Sequence, residues 1–231
     1  MLSSCAHRGA PRDLQIQQEP DEVLAQICSA GETVAEASGV VQIRAQSPEA
    51  SGQFPASVQV NSQSRTLDLE VTNPLGGTEA KIRVEGTNYQ IEAGRGKKAR
   101  QEKGTGTWGG IPLHWAVDLF LGRFPCPSKT EHHAKIESGN VLVVRVPPSL
   151  AGGEEIFRYS LDIMQSDRKV WPKSLQWSRS GILASEVKFQ FSSPEDATRS
   201  PMRWEAVSSR GEVKAKWRER EVRQFKGEGR S

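Results

Sequence analysis

Glu131, His132 and His133 stand side by side, and imidazole next to carboxylate is the raw material of a metal site or a general base. Adjacent residues point apart on a strand or a helix, however, and no further Cys or His falls at ligand spacing. The three therefore read as a solvated loop. Gly104-Thr105-Gly106-Thr107-Trp108-Gly109 has the glycine spacing of a dinucleotide fingerprint. It follows a charged stretch rather than a strand and sits in no βαβ unit, so it reads as a flexible entry to the helix after it. Gly96-Lys97-Lys98 lacks phosphate-loop spacing, no Gly-x-Ser-x-Gly turn marks a nucleophile, and His114 lies on a predicted helix without a partner group. These residues predict no enzyme, no cofactor and no metal.

Two other stretches carry chemistry of a different kind, contact with lipid. Leu75 lies in Asn73-Pro74-Leu75-Gly76-Gly77, a turn between two alternating runs, where polar residues are the physical norm. Pro74 sets its φ and the glycines supply a tight reversal, so the turn is built to push Leu75 outward; folding back onto a core is the commoner fate of a loop leucine. Leu2-Ser3-Ser4-Cys5 has the form of a bacterial lipobox, in which the cysteine is acylated. A secretory signal needs a basic region and about 7–15 apolar residues, and only Met1 to Ser4 precede Cys5. Either the true start lies upstream, or the match is a chance one.

Bulk properties narrow the class. The chain has 231 residues, 31 basic and 28 acidic, for a net charge of +3, and a mean hydropathy of −0.57. That balance implies no nucleic-acid partner, and no apolar run approaches the roughly 18 residues of a spanning helix. Arg95, Lys97, Lys98, Arg100 and Lys103 form a basic cluster, read as a solvated loop or as a surface for lipid head groups or an acidic partner. Cys5, Cys28 and Cys126 are too few for a disulfide framework. A single Cys28–Cys126 bridge is open to an oxidising compartment.

The elements that must position these residues follow from periodicity. Residues 1–20 read as a lipobox-like start and a tether, 21–222 as one domain, and 223–231 as a polar tail. Val23, Leu24 and Ile27 predict a short helix from Asp21 that ends by Gly31; Leu113, Val117, Phe120 and Leu121 predict a second over 111–121, stopped at Gly122-Arg123-Phe124-Pro125. Five alternating strands lie between the helices and six follow the second. This is an α+β chain: an antiparallel sheet of about eleven strands, with the helices on one side.

The quoted stretches carry a resemblance. "LEVTNPLGGTEAKI" resembles the Leu-x-Asn-Pro-Leu-Gly segment of the LolB family, outer-membrane receptors of lipoprotein localisation, and "WGGIPLHWAVDLFLGRFP" looks like that family's Gly-x-Pro-hydrophobic stretch. "MRWEAVSSRGEVKAKWREREV" is similar in layout to its closing strand pair. The resemblance implies an incomplete antiparallel β-barrel with a helical lid, an apolar cavity that takes acyl chains of lipoproteins from a LolA-like carrier, and delivery into outer-membrane phospholipid. It implies a monomer held at the periplasmic face of the outer membrane by lipid on Cys5, with Asn73, Pro74, Leu75 and Gly76 as the insertion loop. Val58, Val60, Leu67, Leu69, Ile82, Val84, Ile91, Trp115, Leu119, Phe189 and Phe191 are candidates for the cavity wall, and each reads equally as filled core. Two further readings share the fold: a soluble LolA-like carrier, and a structural envelope lipoprotein. The chain departs from the family at Ser38, where an arginine usually precedes the glycine of the first strand, and in the basic 94–106 stretch, where the family often has an acidic helix.

Overall fold

The structure, a computed structural model, describes residues 16–47, 51–73, 75, 77–94, 100–108, 111–128, 131–148, 153–163, 169–191 and 201–225. Cys5, Pro74 and Gly76 lie outside them, as do Arg95, Lys97 and Lys98. Helix α1 (Pro20–Ser29) starts with proline in its first turn beside Asp21 and Glu22, and buries Val23, Leu24 and Ile27. Proline needs no hydrogen-bond donor there and the carboxylates suit the positive end of the helix dipole.

The first run of strands is β1 (Val34–Gln46), β2 (Ser51–Asn61), β3 (Thr66–Thr72), β4 (Thr78–Glu85), β5 (Asn88–Ala93) and β6 (Arg100–Thr105). A two-stranded ribbon of β7 (Thr107–Trp108) and β8 (Ile111–Pro112) leads into α2 (Leu113–Leu121). Then come β9 (His133–Glu137), β10 (Val141–Val146), β11 (Glu155–Ile163), β12 (Val170–Arg179), β13 (Ile182–Gln190), β14 (Arg203–Ser208) and β15 (Gly211–Gln224). Thirteen strands form one antiparallel sheet in the order β6-β5-β4-β3-β2-β1-β15-β14-β13-β12-β11-β10-β9. Each half is a meander, and the first and last strands join the halves. The sheet is an unclosed half-barrel with a helical lid, the predicted class of fold.

Its strands number more than the eleven expected because two polar stretches pair at the edges. Residues 100–105, part of the stretch read as a connection, are β6, and His133, read as loop, opens β9. β6 is exposed almost throughout and has no apolar alternation to reveal it, and its charge suits an edge that must not pair with another chain; β9 is short and turns only Ala134 and Ile136 toward the core. Gly104 and Thr105 belong to β6 and Thr107 and Trp108 to β7, so the described part of the glycine fingerprint is a strand end and a ribbon rather than a flexible entry; Gly109 lies outside the described residues. β15 continues through Gln224, two residues into the stretch read as a tail, with Arg223 opposite Glu36 and Gln224 opposite Val34.

Both helices lie on the concave face. α1 packs on β9, β10 and β12, whereas α2 packs on β1 to β4. Gly122 in the left-handed region ends α2, its N–H donating to the Leu119 carbonyl at 3.1 Å while Arg123 N–H reaches the Asp118 carbonyl at 2.8 Å. Past that cap, Cys126 is bonded to Cys28 at the end of α1, 98 residues away. Closing a loop of that length contributes about 4–5 kcal/mol on the chain-entropy account.

Candidate functional site

An apolar void lies between α2 and the first half of the sheet. Ile43, Leu67, Leu69, Ile82 and Val84 form its floor, Pro112, Leu113, Ala116, Leu119 and Phe120 its roof, and Trp204 and Val213 its far side. Alternation positions the floor: every second residue of β3 and β4 turns inward, so Leu67, Leu69, Ile82 and Val84 form one surface. The void holds about 30 Å³. That is roughly one water's share of liquid volume, and its lining offers a water no polar partner. α2 therefore fills most of the space over these strands.

Three arginines fasten α2 down. Arg65, in the β2–β3 turn, donates from Nη1 to Asp118 Oδ1 at 2.9 Å, and from Nη2 to Asp118 Oδ2 and the His114 carbonyl, each at 3.2 Å. Arg220 Nη2 donates to the Leu121 carbonyl at 2.7 Å, a cation at the negative end of the helix, and its guanidinium sits 5.4 Å from the Trp217 ring centre. Its cross-strand neighbour is Gly39, where the two backbones come so close that a Cβ would overlap the Glu219 carbonyl. Burial lowers the Arg220 pKa to about 10. Arg123 Nε and Nη2 donate to the Gly31 and Val34 carbonyls at 3.1 and 2.7 Å, and burial lowers its pKa as well. On α2 itself burial lowers the pKa of His114, with Asp118 and Glu155 opposing and Arg65 assisting.

The predicted wall residues divide into two groups. Leu67, Leu69, Ile82, Val84 and Leu119 border the void. Val58 and Val60 are buried in the same core without bordering it, and Ile91 is partly buried against it. Trp115 is wedged against Phe157 and Trp177, with ring centres 6.2 and 5.3 Å away. Phe189 and Phe191 pack on Phe124 at 4.9 and 6.3 Å. Sequence reading missed Ile43, Leu113, Phe120 and Trp204 as lining, although alternation and helical spacing had placed the first three on inward faces. It missed Arg65 and Asp118 entirely, because residues 53 apart carry no local signal of their pairing.

Leu75 is 95% exposed, the most exposed large apolar side chain among the described residues. Asn73 builds the turn: its N–H donates to the Gly77 carbonyl at 2.9 Å, and its side-chain carbonyl accepts from Leu75 N–H at 3.0 Å and Gly77 N–H at 2.8 Å. Its amide donates to Glu79 Oε1 at 3.0 Å. One asparagine thus meets the polar needs of the reversal and leaves the tip to a leucine.

His132 Nε2 lies 3.2 Å from Asp21 Oδ1, so it meets a carboxylate on α1 rather than one beside it. Among the described residues no group of three or more His, Cys, Asp or Glu could hold a metal ion, and no helix is long and apolar enough to cross a membrane.

No protein-family model matches the sequence, and no curated protein matches it. Solved structures do match in fold. A LolA-superfamily protein from Nitrosomonas europaea aligns over 90% of this chain and 94% of its own, with a TM-score of 0.51 and 11% identity. A domain from Vibrio parahaemolyticus described as outer membrane lipoprotein-sorting aligns over 91% and 96%, at 0.54 and 7%. A DUF1329-family protein from Desulfovibrio piger aligns over 90% and 92%, at 0.53 and 7%. At these identities the likeness is one of fold alone, an unclosed half-barrel with a helical lid.

Proposed function

We propose that this protein is a lipid-anchored receptor that accepts acylated lipoproteins from a LolA-like carrier and inserts them into the outer membrane. In this reading Cys5 carries the anchor, the apolar interior under α2 receives acyl chains, and Leu75 enters the bilayer surface. The cargo moves down a gradient of affinity with no bond made or broken, so the receptor acts without catalysis, cofactor or metal. An interior that is closed without cargo keeps its apolar lining from water, and the arginine contacts set how readily α2 moves.

The observation that carries the reading is Leu75, fully outward on a turn that Asn73 holds in place. Burying one leucine contributes about 1.5–3 kcal/mol, too little to anchor a protein but enough to wedge a loop into a surface already held close. A soluble carrier of the same fold has no use for an exposed leucine on a built turn.

The test loads a carrier with acylated lipoprotein and follows transfer to this chain and onward to liposomes. Leu75→Glu is expected to accept cargo as the unsubstituted protein does and to deliver it at least tenfold more slowly. Equal delivery by Leu75→Glu sinks the role of Leu75. Failure of the unsubstituted chain to accept cargo favours a structural envelope protein.

A further inference from the structure

The described residues leave five large apolar side chains exposed: Leu75, Ile182, Leu183, Val222 and Phe225. Three of them share one edge of the sheet. In an antiparallel meander alternate turns fall at the same edge. β3 runs toward the edge where β1 ends and β15 begins, and so does β12, so the β3–β4 turn and the β12–β13 turn lie on one side. Val222 and Phe225, at the end of β15, belong to the opposite edge. The two turns are six strand spacings apart in the order β4-β3-β2-β1-β15-β14-β13-β12, about 29 Å along a sheet whose neighbouring strands lie ~4.8 Å apart.

The second tip is built as deliberately as the first. Ser180 and Gly181 both have positive φ, 52° and 79°, in a two-residue turn that joins Arg179 to Ile182, the form that matches strand twist in a tight hairpin. Ser180 N–H donates to the Glu154 carbonyl at 2.8 Å and steadies it from the neighbouring strand. On its other flank the hairpin outruns its partner, since the last pair between β13 and β14 is Ser185 with Ser208. Ile182 and Leu183 therefore pair with β12 alone and are 73% and 53% exposed. Arg179 beside the tip and Arg210 in the β14–β15 turn are exposed cations at the same edge, and Arg145 meets Glu154 there at 3.2 Å.

We propose that the Ile182-Leu183 hairpin tip is a second bilayer contact, which enters the same phospholipid surface as Leu75. The inference rests on the receptor reading and deepens it. One leucine leaves the half-barrel free to pivot; two tips about six strand spacings apart set one edge of the sheet against the membrane. The separated, protruding form of the two tips suits a deformable lipid surface, whereas a protein partner is met by one contiguous, complementary patch.

The test uses the full chain carrying Cys5→Ser, so that no anchor masks the protein's own contacts, and vesicles of phosphatidylethanolamine with phosphatidylglycerol. Ile182→Asp with Leu183→Asp is expected to lower vesicle partitioning at least tenfold while thermal unfolding and cargo acceptance stay unchanged. A separate Ile182→Cys chain, labelled with an environment-sensitive dye, is expected to show a blue-shifted emission on vesicles that lipid-borne quenchers suppress. Unchanged partitioning of the double variant, or a dye that stays in water, overturns the second contact. If Leu75→Glu still slows delivery in that case, the receptor reading survives. Normal partitioning with lost cargo acceptance from the carrier makes the hairpin a protein-docking surface and overturns the proposal. If the unsubstituted chain ignores vesicles and Leu75→Glu delivers normally, both readings fall.

Discussion

The two halves of the sheet are lined by different chemistry. The inner face of β1 to β4 is aliphatic, with Val41, Ile43, Val58, Val60, Leu67, Leu69, Ile82 and Val84 buried. Every aromatic side chain buried on the sheet among the described residues lies instead on β11 to β15: Phe157, Tyr159, Trp171, Trp177, Phe189, Trp204 and Trp217. Rings interlock edge to face, as Trp115 does with Trp177 at 63° and Phe120 with Trp204 at 82°. The Tyr159 hydroxyl, fully buried, donates to the Pro125 carbonyl at 2.8 Å, and burial raises its pKa. α1 and the disulfide close over this aromatic half. α2 bridges the two: Trp115 and Phe120 seat it in the aromatic half, while over the aliphatic half, where the void lies, arginines hold it at its rim. The aromatic seat is interlocked, and the aliphatic side is held by contacts that can be exchanged.

Trp115→Ala tests that division most severely. It removes the wedge between Phe157 and Trp177, and the expected loss is about 3–5 kcal/mol in urea unfolding. A loss under about 1 kcal/mol would mean that the aromatic half is no more tightly packed than its counterpart.

Arg65→Met should loosen α2 on its aliphatic side. It leaves Asp118, whose side chain is 17% exposed, without its bidentate partner. A cost of about 1–3 kcal/mol follows for a mostly buried acceptor stripped of its donor. The expected readout is faster hydrogen exchange along α2, with the amides of β11 to β13 unmoved. Uniform acceleration through both halves would show that they open as one unit.

Acid should have the smallest effect, again on α2. Burial holds the His114 pKa below its ordinary 6.5, so the folded protein favours neutral imidazole. The stability this contributes is complete above about 6.5 and is lost as pH falls from there through the lower folded value. Exchange along α2, corrected for its intrinsic pH dependence, should therefore quicken as pH falls below about 6.5. His114→Gln should flatten that rise; a slope that persists would assign it to other groups.

Much of this was legible locally. Periodicity of two placed Leu67, Leu69, Ile82 and Val84 on one face, spacing of three and four placed Val23 and Ile27, and the Asn73 to Gly77 stretch announced a turn with an outward leucine. β6 escaped because its side chains are polar on both faces, so no alternation marks it. The Ile182-Leu183 tip escaped for the opposite reason: Leu183 sits in a run that alternates like any half-buried strand, and its exposure comes from β14 ending short of it.

Sequence by itself determined which residues turn inward, where the chain reverses and which stretches lack catalytic spacing, because these depend on neighbours a few positions away. Tertiary structure alone decided that Cys28 meets Cys126, that Arg65 meets Asp118, that Arg220 reaches the Leu121 carbonyl, and that Leu75 and Ile182 share an edge. Those pairings depend on strand order and register. They are properties of the whole sheet, set by the sum of many weak long-range contacts that no single stretch encodes.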